Sequence, residues 1–306
     1  MFIRLLNKQK QAKMAVYSIR ELENLSGIKA HTIRIWEKRY RLIEPHRTNT
    51  NIRYYTDANL KKILNVAVLN RQGMKISHIA NLSDLELKEA IMRETDSTSS
   101  HETLIDSLVV AMIDLDPYIL NSIIEKSTSK IGFRDTVTSV LYPFLHKVGI
   151  LWQSEKVNPA QEHLVSSLIR QKIIAATDKL PNTFDPNGKK FLLMLLEGEW
   201  HEIALLFAQY LLKEAKHEVI YLGQSVPYSD VLATGAAMHF DYIMISFTTN
   251  RSGFDSMVCL KDLGGAFPDK KILYFSGLIE IPPAGLTENH LPLHTIQDLT
   301  DFLNDL

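Results

Sequence analysis

The 306-residue sequence holds a single cysteine, Cys259, which excludes an internal disulfide and a multi-thiolate zinc site. No apolar run approaches the 18 or so residues that span a bilayer. The first residues lack the charged, apolar and small-residue order of a secretory signal. These absences predict a protein of the reducing cytoplasm with no membrane contact. A nucleophile–base pair, a phosphate loop and a zinc motif are also missing, so no seat for enzymatic chemistry is visible and a non-enzyme is expected. His31, His146, His217 and His239 stand without partners at metal-ligand spacing. What remains, 45% hydrophobic and 23% charged residues with a mean hydropathy of −0.06, is a globular composition long enough for two or three domains.

The net charge of −1 is a cancellation. Residues 1 to 80 hold 16 Lys and Arg against 5 Asp and Glu, or +11, and the rest hold 18 against 30, or −12. A basic head on an acidic body is the asymmetry expected when one end meets a polyanion.

Met1 to Lys13 is basic without clear periodicity and reads as a flexible arm. Ser18 and Glu21 have capping-box spacing, Ile19, Leu22 and Leu25 follow at helical spacing, and Gly27 marks a stop. A second helix over Ala30 to Arg39 carries His31, Thr32, Arg34, Lys38 and Arg39 around Ile33, Ile35 and a core Trp36. Short helix, glycine turn and basic second helix make a helix-turn-helix signature. After Pro45, Arg47 to Tyr55 reads as a turn and short strand, a wing suited to phosphates. Thr56 caps a helix over Leu60 to Leu69, and Ser83 with Glu86 opens another to about Met92. The head is thus 14–94.

Polar residues 95–101 form the expected linker. Residues 102–181 are helical throughout: Val137, Val140, Leu141, Phe144, Leu145 and Val148 step by three and four, as do Leu164, Leu168, Ile169 and Ile173, predicting a four-helix bundle. From 190 to 306 the period changes. Apolar runs at Phe191–Leu196, Val219–Leu222, Tyr242–Phe247 and Ile272–Phe275 alternate with helical patterns and predict a Rossmann-like parallel α/β sheet. Its ligand loops should follow Leu196, Leu222, Phe247 and Phe275. The fold class is multidomain, α and α/β.

The segment Ser18-Ile-Arg-Glu-Leu, Gly27, Thr32-Ile-Arg34-Ile-Trp36-Glu-Lys-Arg39-Tyr40, Pro45 and Arg47-Thr to Arg53-Tyr54-Tyr55 resembles the winged-helix head of MerR-type transcription regulators. The resemblance implies a near-palindromic double-stranded operator read by a dimer. Thr32, Arg34 and their neighbours His31, Lys38 and Arg39 would enter the major groove, with Arg47, Arg53 and Tyr54 along the phosphates. Lys29 stands where a capping serine is common in the family. Charge alone would equally fit a basic solvated helix.

In the body, Glu197-Gly198-Glu199-Trp200-His201 places a carboxylate two residues before a histidine in a strand-to-helix loop. A carboxylate on one ring nitrogen fixes the tautomer with which the other binds a metal. One histidine suffices only for a metal that brings its own equatorial ligands. Taken alone, Glu-x-His also fits a surface hydrogen bond. The segment resembles the Glu/Asp-x-His-x-x-Gly motif of cobalamin-binding domains, which implies that His201 is the lower axial ligand of cobalt. Gly223, Val226, Pro227, Ser246, Thr248, Ser276 and Gly277 stand where that family places its cofactor loops.

Trp152, separated by nine residues from Glu162-His163, reads equally as a core tryptophan with an exposed capping pair. Beside a cobalamin-type sheet it resembles the upper-face cap of the light-sensing adenosylcobalamin-dependent MerR-type repressors. That family implies a bundle and sheet enclosing adenosylcobalamin, a dimer or tetramer on DNA in the dark, and release when light breaks the cobalt–carbon bond. Three positions depart from the pattern: Ala204 replaces the motif glycine, Ser276 replaces the first of two glycines, and Gln153, a poor cobalt ligand, follows Trp152. Two rival readings stay open: a MerR-type regulator whose body has lost the cofactor and serves oligomerisation or protein interaction, and a corrinoid carrier for methyl transfer.

Overall fold

The computed structural model describes residues 15–97, 100–248, 255–276 and 285–306; the expected arm, 1–13, and Gly277 lie outside them. The chain divides into two units, Met1–Leu168 and Ile169–Leu306.

The first unit opens with strand β1 (Val16–Tyr17) and helices α1 (Ile19–Ser26) and α2 (Ala30–Tyr40). The Ser18 hydroxyl accepts the Glu21 N–H at 3.3 Å while the Glu21 carboxylate accepts the Ser18 N–H at 2.6 Å, closing the capping box. Gly27 ends α1 at φ 72°, a conformation that suits glycine. Lys29 makes no side-chain cap on α2. Glu23 of α1 does so in its place, accepting the Ala30 N–H at 3.2 Å and the Lys29 ammonium at 3.1 Å. Ile33 and Trp36 are buried, whereas Ile35 is 53% exposed.

Strands β2 (His46–Arg47) and β3 (Arg53–Thr56) form the wing, pairing antiparallel in the order β1-β3-β2. Thr56 caps α3 (Asp57–Arg71), followed by the short α4 (Ile76–Ile79) and α5 (Asp84–Ser97). The Ser83–Glu86 capping box is present.

Next come α6 (His101–Ile113), α7 (Pro117–Ile131), α8 (Phe133–Thr136), a π-helical turn at Val137–Leu141, α9 (Tyr142–Gln153) and α10 (Pro159–Asp178). The segment from α8 through α9 is unbroken helix, so the bundle has four long rods. Of the expected linker at 95–101, residues 98 and 99 lie outside the described residues. Helix α5 runs to Ser97 and α6 starts at His101, and head and bundle belong to one unit. What binds head to bundle is α3 on α6 and a buried charge: Asp106 of α6, 1% exposed, accepts from Arg71 of α3 and from Lys147 of α9.

In the second unit β4 (Lys190–Leu196), α11 (Ile203–Glu214), β5 (Glu218–Val226), α12 (Tyr228–Ala237), β6 (Tyr242–Ser246), α13 (Ser256–Ala266), β7 (Lys271–Phe275), β8 (His290–Leu293) and α14 (Ile296–Asn304) alternate. The strands are all parallel, in the order β5-β4-β6-β7-β8. The fifth strand, β8, went unforeseen because Pro292 interrupts a short run. Residues Phe191 to Leu196 are buried throughout, as a strand covered on both faces must be. Leu192, Met194 and Leu196 pack with Val231, Leu260 and Leu263 of α12 and α13, while α11 and α14 cover the other face. Cys259 is buried on α13.

Candidate functional site

Two clusters of side chains stand out, one in each unit. In the first, a groove of about 390 Å³ between α1, α2 and the wing is lined by Arg20, Arg34, Arg47, Arg53, Asn51 and Tyr55, among others. The wing turn is held by the Arg47 guanidinium, which donates to the Asn51 side chain at 2.7 Å, and by Asn51 at φ 65°. Tyr55 ties β3 to α2 by donating to Glu37 at 2.6 Å; burial first, then this carboxylate, push the Tyr55 hydroxyl well above the usual phenol range. Of the eight residues expected at DNA, Arg34, Arg47 and Arg53 line this groove. His31, Lys38 and Arg39 are exposed elsewhere on α2, and Thr32 is half-buried. Tyr54 stacks on His46 with ring centres 5.3 Å apart. Arg20 was missed by sequence reasoning: its place beside Arg34 depends on how α1 crosses α2.

The second cluster lies at the carboxyl edge of the sheet. With this strand order the chain reverses direction between β4 and β6, where ligands of such sheets sit. After β4 the chain turns through Gly198 at φ 81° and buries Glu199, which is 1% exposed. One Glu199 oxygen accepts the His201 ring Nδ1–H at 2.7 Å together with the backbone N–H groups of Trp200 and His201 at 3.0 and 3.1 Å. The other accepts the Thr248 N–H, from the loop after β6, at 3.1 Å. Glu199 therefore bridges the crevice. Burial pushes its carboxyl up, but the His201 ring and the Thr248 and His201 backbone donors outweigh it and hold the carboxyl at about 2. The ionised carboxylate accepts only, so the imidazole proton belongs on Nδ1 and the lone pair on Nε2. The His201 side chain is 58% exposed.

The other expected loop positions among the described residues lie along the same edge, with one correction. Gly223 and Val226 belong to β5, which runs to Val226 rather than stopping at Leu222. Its last turn is irregular: Gly223 has φ 89° and Ser225 φ 53°, with register shifts against β4. An irregular strand keeps its ladder while escaping the smooth apolar pattern that marks strands in sequence. The Ser225 hydroxyl accepts the Gly198 N–H at 3.0 Å, and the Gln224 amide donates to the Trp200 carbonyl at 2.9 Å. Ser246 ends β6, Ser276 follows β7, both buried, and Pro227 is exposed at the start of α12.

Sequence reasoning also missed Glu202. Beside His201 and 4% exposed, it accepts from Arg170 and, at 2.6 Å, from the Tyr221 hydroxyl. Glutamate before a helix reads from sequence as a solvated partner of the helix dipole, which conceals this role.

Among the described residues no group of three or more His, Cys, Asp or Glu could hold a metal ion. A single imidazole with a set tautomer fits a metal carried in a macrocycle that needs one axial nitrogen. In the bundle, Trp152 lies in the last turn of α9, 45% exposed, and Glu162 and His163 in the first turn of α10, so the connecting loop joins the ends that carry them. The Glu162 carboxylate and His163 Nδ1 are 2.7 Å apart.

Comparison with known proteins bears on both clusters. Residues 17–86 match the MerR HTH family regulatory proteins and residues 104–176 the B12 binding domain. The chain is 28% identical over 293 residues to the HTH-type transcriptional repressor CarH of Myxococcus xanthus, covering 94% of this chain and 96% of that one. It is 25% identical over 246 residues to CarA, an HTH-type transcriptional repressor of the same organism, covering 80% and 81%. Among solved structures, the Methanosarcina barkeri monomethylamine corrinoid protein superposes with a TM-score of 0.56 at 13% identity. It covers 68% of this chain and 100% of that one, a likeness of fold.

Proposed function

The chain belongs to the MerR-type regulators that carry a B12-binding domain, and from that premise we propose that it is a cytoplasmic DNA-binding transcription repressor controlled by cobalamin. The observation that carries this reading is the Glu199–His201 pair at the sheet's switch point, on the same chain as an arginine-lined winged-helix groove.

In this reading His201 Nε2 would hold the cobalt of the cofactor. Glu199 keeps the imidazole in the binding tautomer and, through the Thr248 N–H, fixes its position relative to β6. Gly223, Val226, Pro227, Ser246, Thr248, Ser276 and Gly277 surround the lower face. Trp152, Glu162 and His163 are assigned to the upper face on their sequence motif. The cofactor is adenosylcobalamin, which supplies a cobalt–carbon bond that light can break. Arg34, Arg47 and Arg53 meet phosphates, and His31, Thr32, Lys38, Arg39 and Tyr54 complete the DNA face on a near-palindromic operator bound by a dimer or tetramer. A ligand shifts such an assembly only by its differential affinity for the two states.

The test mixes purified protein with adenosylcobalamin in the dark. Corrin absorbance should elute with the protein on gel filtration, and a gel shift on the chain's own promoter DNA should weaken after illumination. Ala204 and Ser276, which replace motif glycines, favour the alternative of a body without cofactor. In that case His201→Ala leaves cobalamin uptake, oligomeric state and DNA binding unchanged.

A further inference from the structure

His201 is flanked by two buried carboxylates, Glu199 two residues before it and Glu202 immediately after it. The first bonds the imidazole. Glu202 sits at the N-cap of α11, where Ser, Thr, Asp or Asn ordinarily turns back to the helix's own N–H groups. It makes no such cap. Instead its side chain turns inward. One oxygen accepts from Nε of Arg170 on α10 and the other from the Tyr221 hydroxyl on β5, at 2.6 Å. Its backbone N–H donates to the Trp200 carbonyl at 3.1 Å, and that carbonyl also accepts from the Gln224 side chain. A carboxylate buried to this degree is retained only where charged and hydrogen-bonding partners compensate its lost hydration. Here those partners come from two elements that flank the His201 loop.

We infer that Glu202, clamped between Arg170 and Tyr221, is a positioning residue that fixes the His201 backbone, so that the imidazole is offered to a bound metal in one place. Glu199 sets which ring nitrogen is offered; Glu202 sets where it is offered. The two tasks are separable because one acts through the ring and the other through the peptide between His201 and Glu202. Outer partners of a metal-binding histidine commonly change affinity when removed, and this clamp acts on the chain that carries the ring rather than on the ring itself. The inference rests on His201 being the axial ligand.

The test loads full-length protein carrying 15N-labelled histidine with cobalamin, reduces the cobalt to Co(II) and records in its electron paramagnetic resonance signal the two-fold splitting that an axial 15N imposes, as distinct from the three-fold splitting given by the cofactor's own unlabelled nitrogen base. Wild type should show the splitting and His201→Ala should lose it. If wild type lacks it, or His201→Ala keeps it, the axial assignment fails and this inference with it. Given that assignment, Glu202→Gln and Arg170→Ala should weaken cobalamin binding about tenfold and lower the fraction of bound cobalt that shows the splitting. Arg170→Lys should recover part of both. Tyr221→Phe, which retains the ion pair, should shift them less and in the same direction, and it carries the test if the other variants fail to fold. Variants that bind cobalamin as wild type does, with undiminished splitting, overturn the clamp while leaving His201 as the ligand.

Discussion

Lys147 of α9 donates to the buried Asp106 carboxylate of α6 at 2.8 Å and, with the same ammonium, to the Leu25 carbonyl at the end of α1, at 3.0 Å. One cation thus closes the first helix of the DNA-binding head onto the bundle, and Arg71 of α3 reaches the same carboxylate. Removing a buried partner leaves charges uncompensated, so Asp106→Ala should lower unfolding free energy by about 3 to 5 kcal/mol. Denaturant titration measures this. A change under about 1 kcal/mol would mean that the two cations are adequately solvated without it.

The capping box on α1 makes stability depend on pH. Burial pushes the Glu21 carboxyl up, but the Ser18 backbone and hydroxyl donors and Lys156 outweigh it, leaving the carboxyl below its ordinary value of 4.5. A group depressed in the folded state stabilises fully above its unfolded pKa, and that contribution disappears as pH falls through the folded value. Thermal midpoints measured downward from pH 5 should therefore fall more steeply for wild type than for Glu21→Gln. Parallel curves would exclude the contribution.

If the arginine-lined groove meets phosphates, each guanidinium contributes to counterion release. Arg34→Ala and Arg53→Ala should each weaken binding to all duplex sequences and reduce the slope of log affinity against log salt by about one. Fluorescence anisotropy across a salt series reads the slope, and an unchanged slope would place the DNA elsewhere.

Gly223 separates backbone strain from crowding. A methyl group there would meet nothing nearer than 3.9 Å, yet its φ of 89° is one that L side chains rarely adopt. Gly223→Ala should destabilise the sheet unit by about 1 kcal/mol or more through conformation alone. Calorimetry of the purified protein tests this, and a variant as stable as wild type would show that the strand end relaxes freely.

Much was legible without coordinates, because it depends on near neighbours in the chain. Capping boxes at Ser18 and Ser83, the glycine stop at Gly27, the helical spacing from Val137 to Val148 and the buried run Phe191–Leu196 are local patterns that local physics makes sufficient. The Glu199–His201 pair, too, is a two-residue spacing. Tertiary structure decided the rest. The Thr248 N–H on Glu199, the clamp of Arg170 and Tyr221 on Glu202, the placing of Arg20 beside Arg34, and Glu23 capping α2 where Lys29 cannot are meetings set by strand order and helix crossing. Only the burial of Asp106 between three helices shows that head and bundle pack as one, since a lone charge in a sequence carries no record of which cations the fold will bring to it.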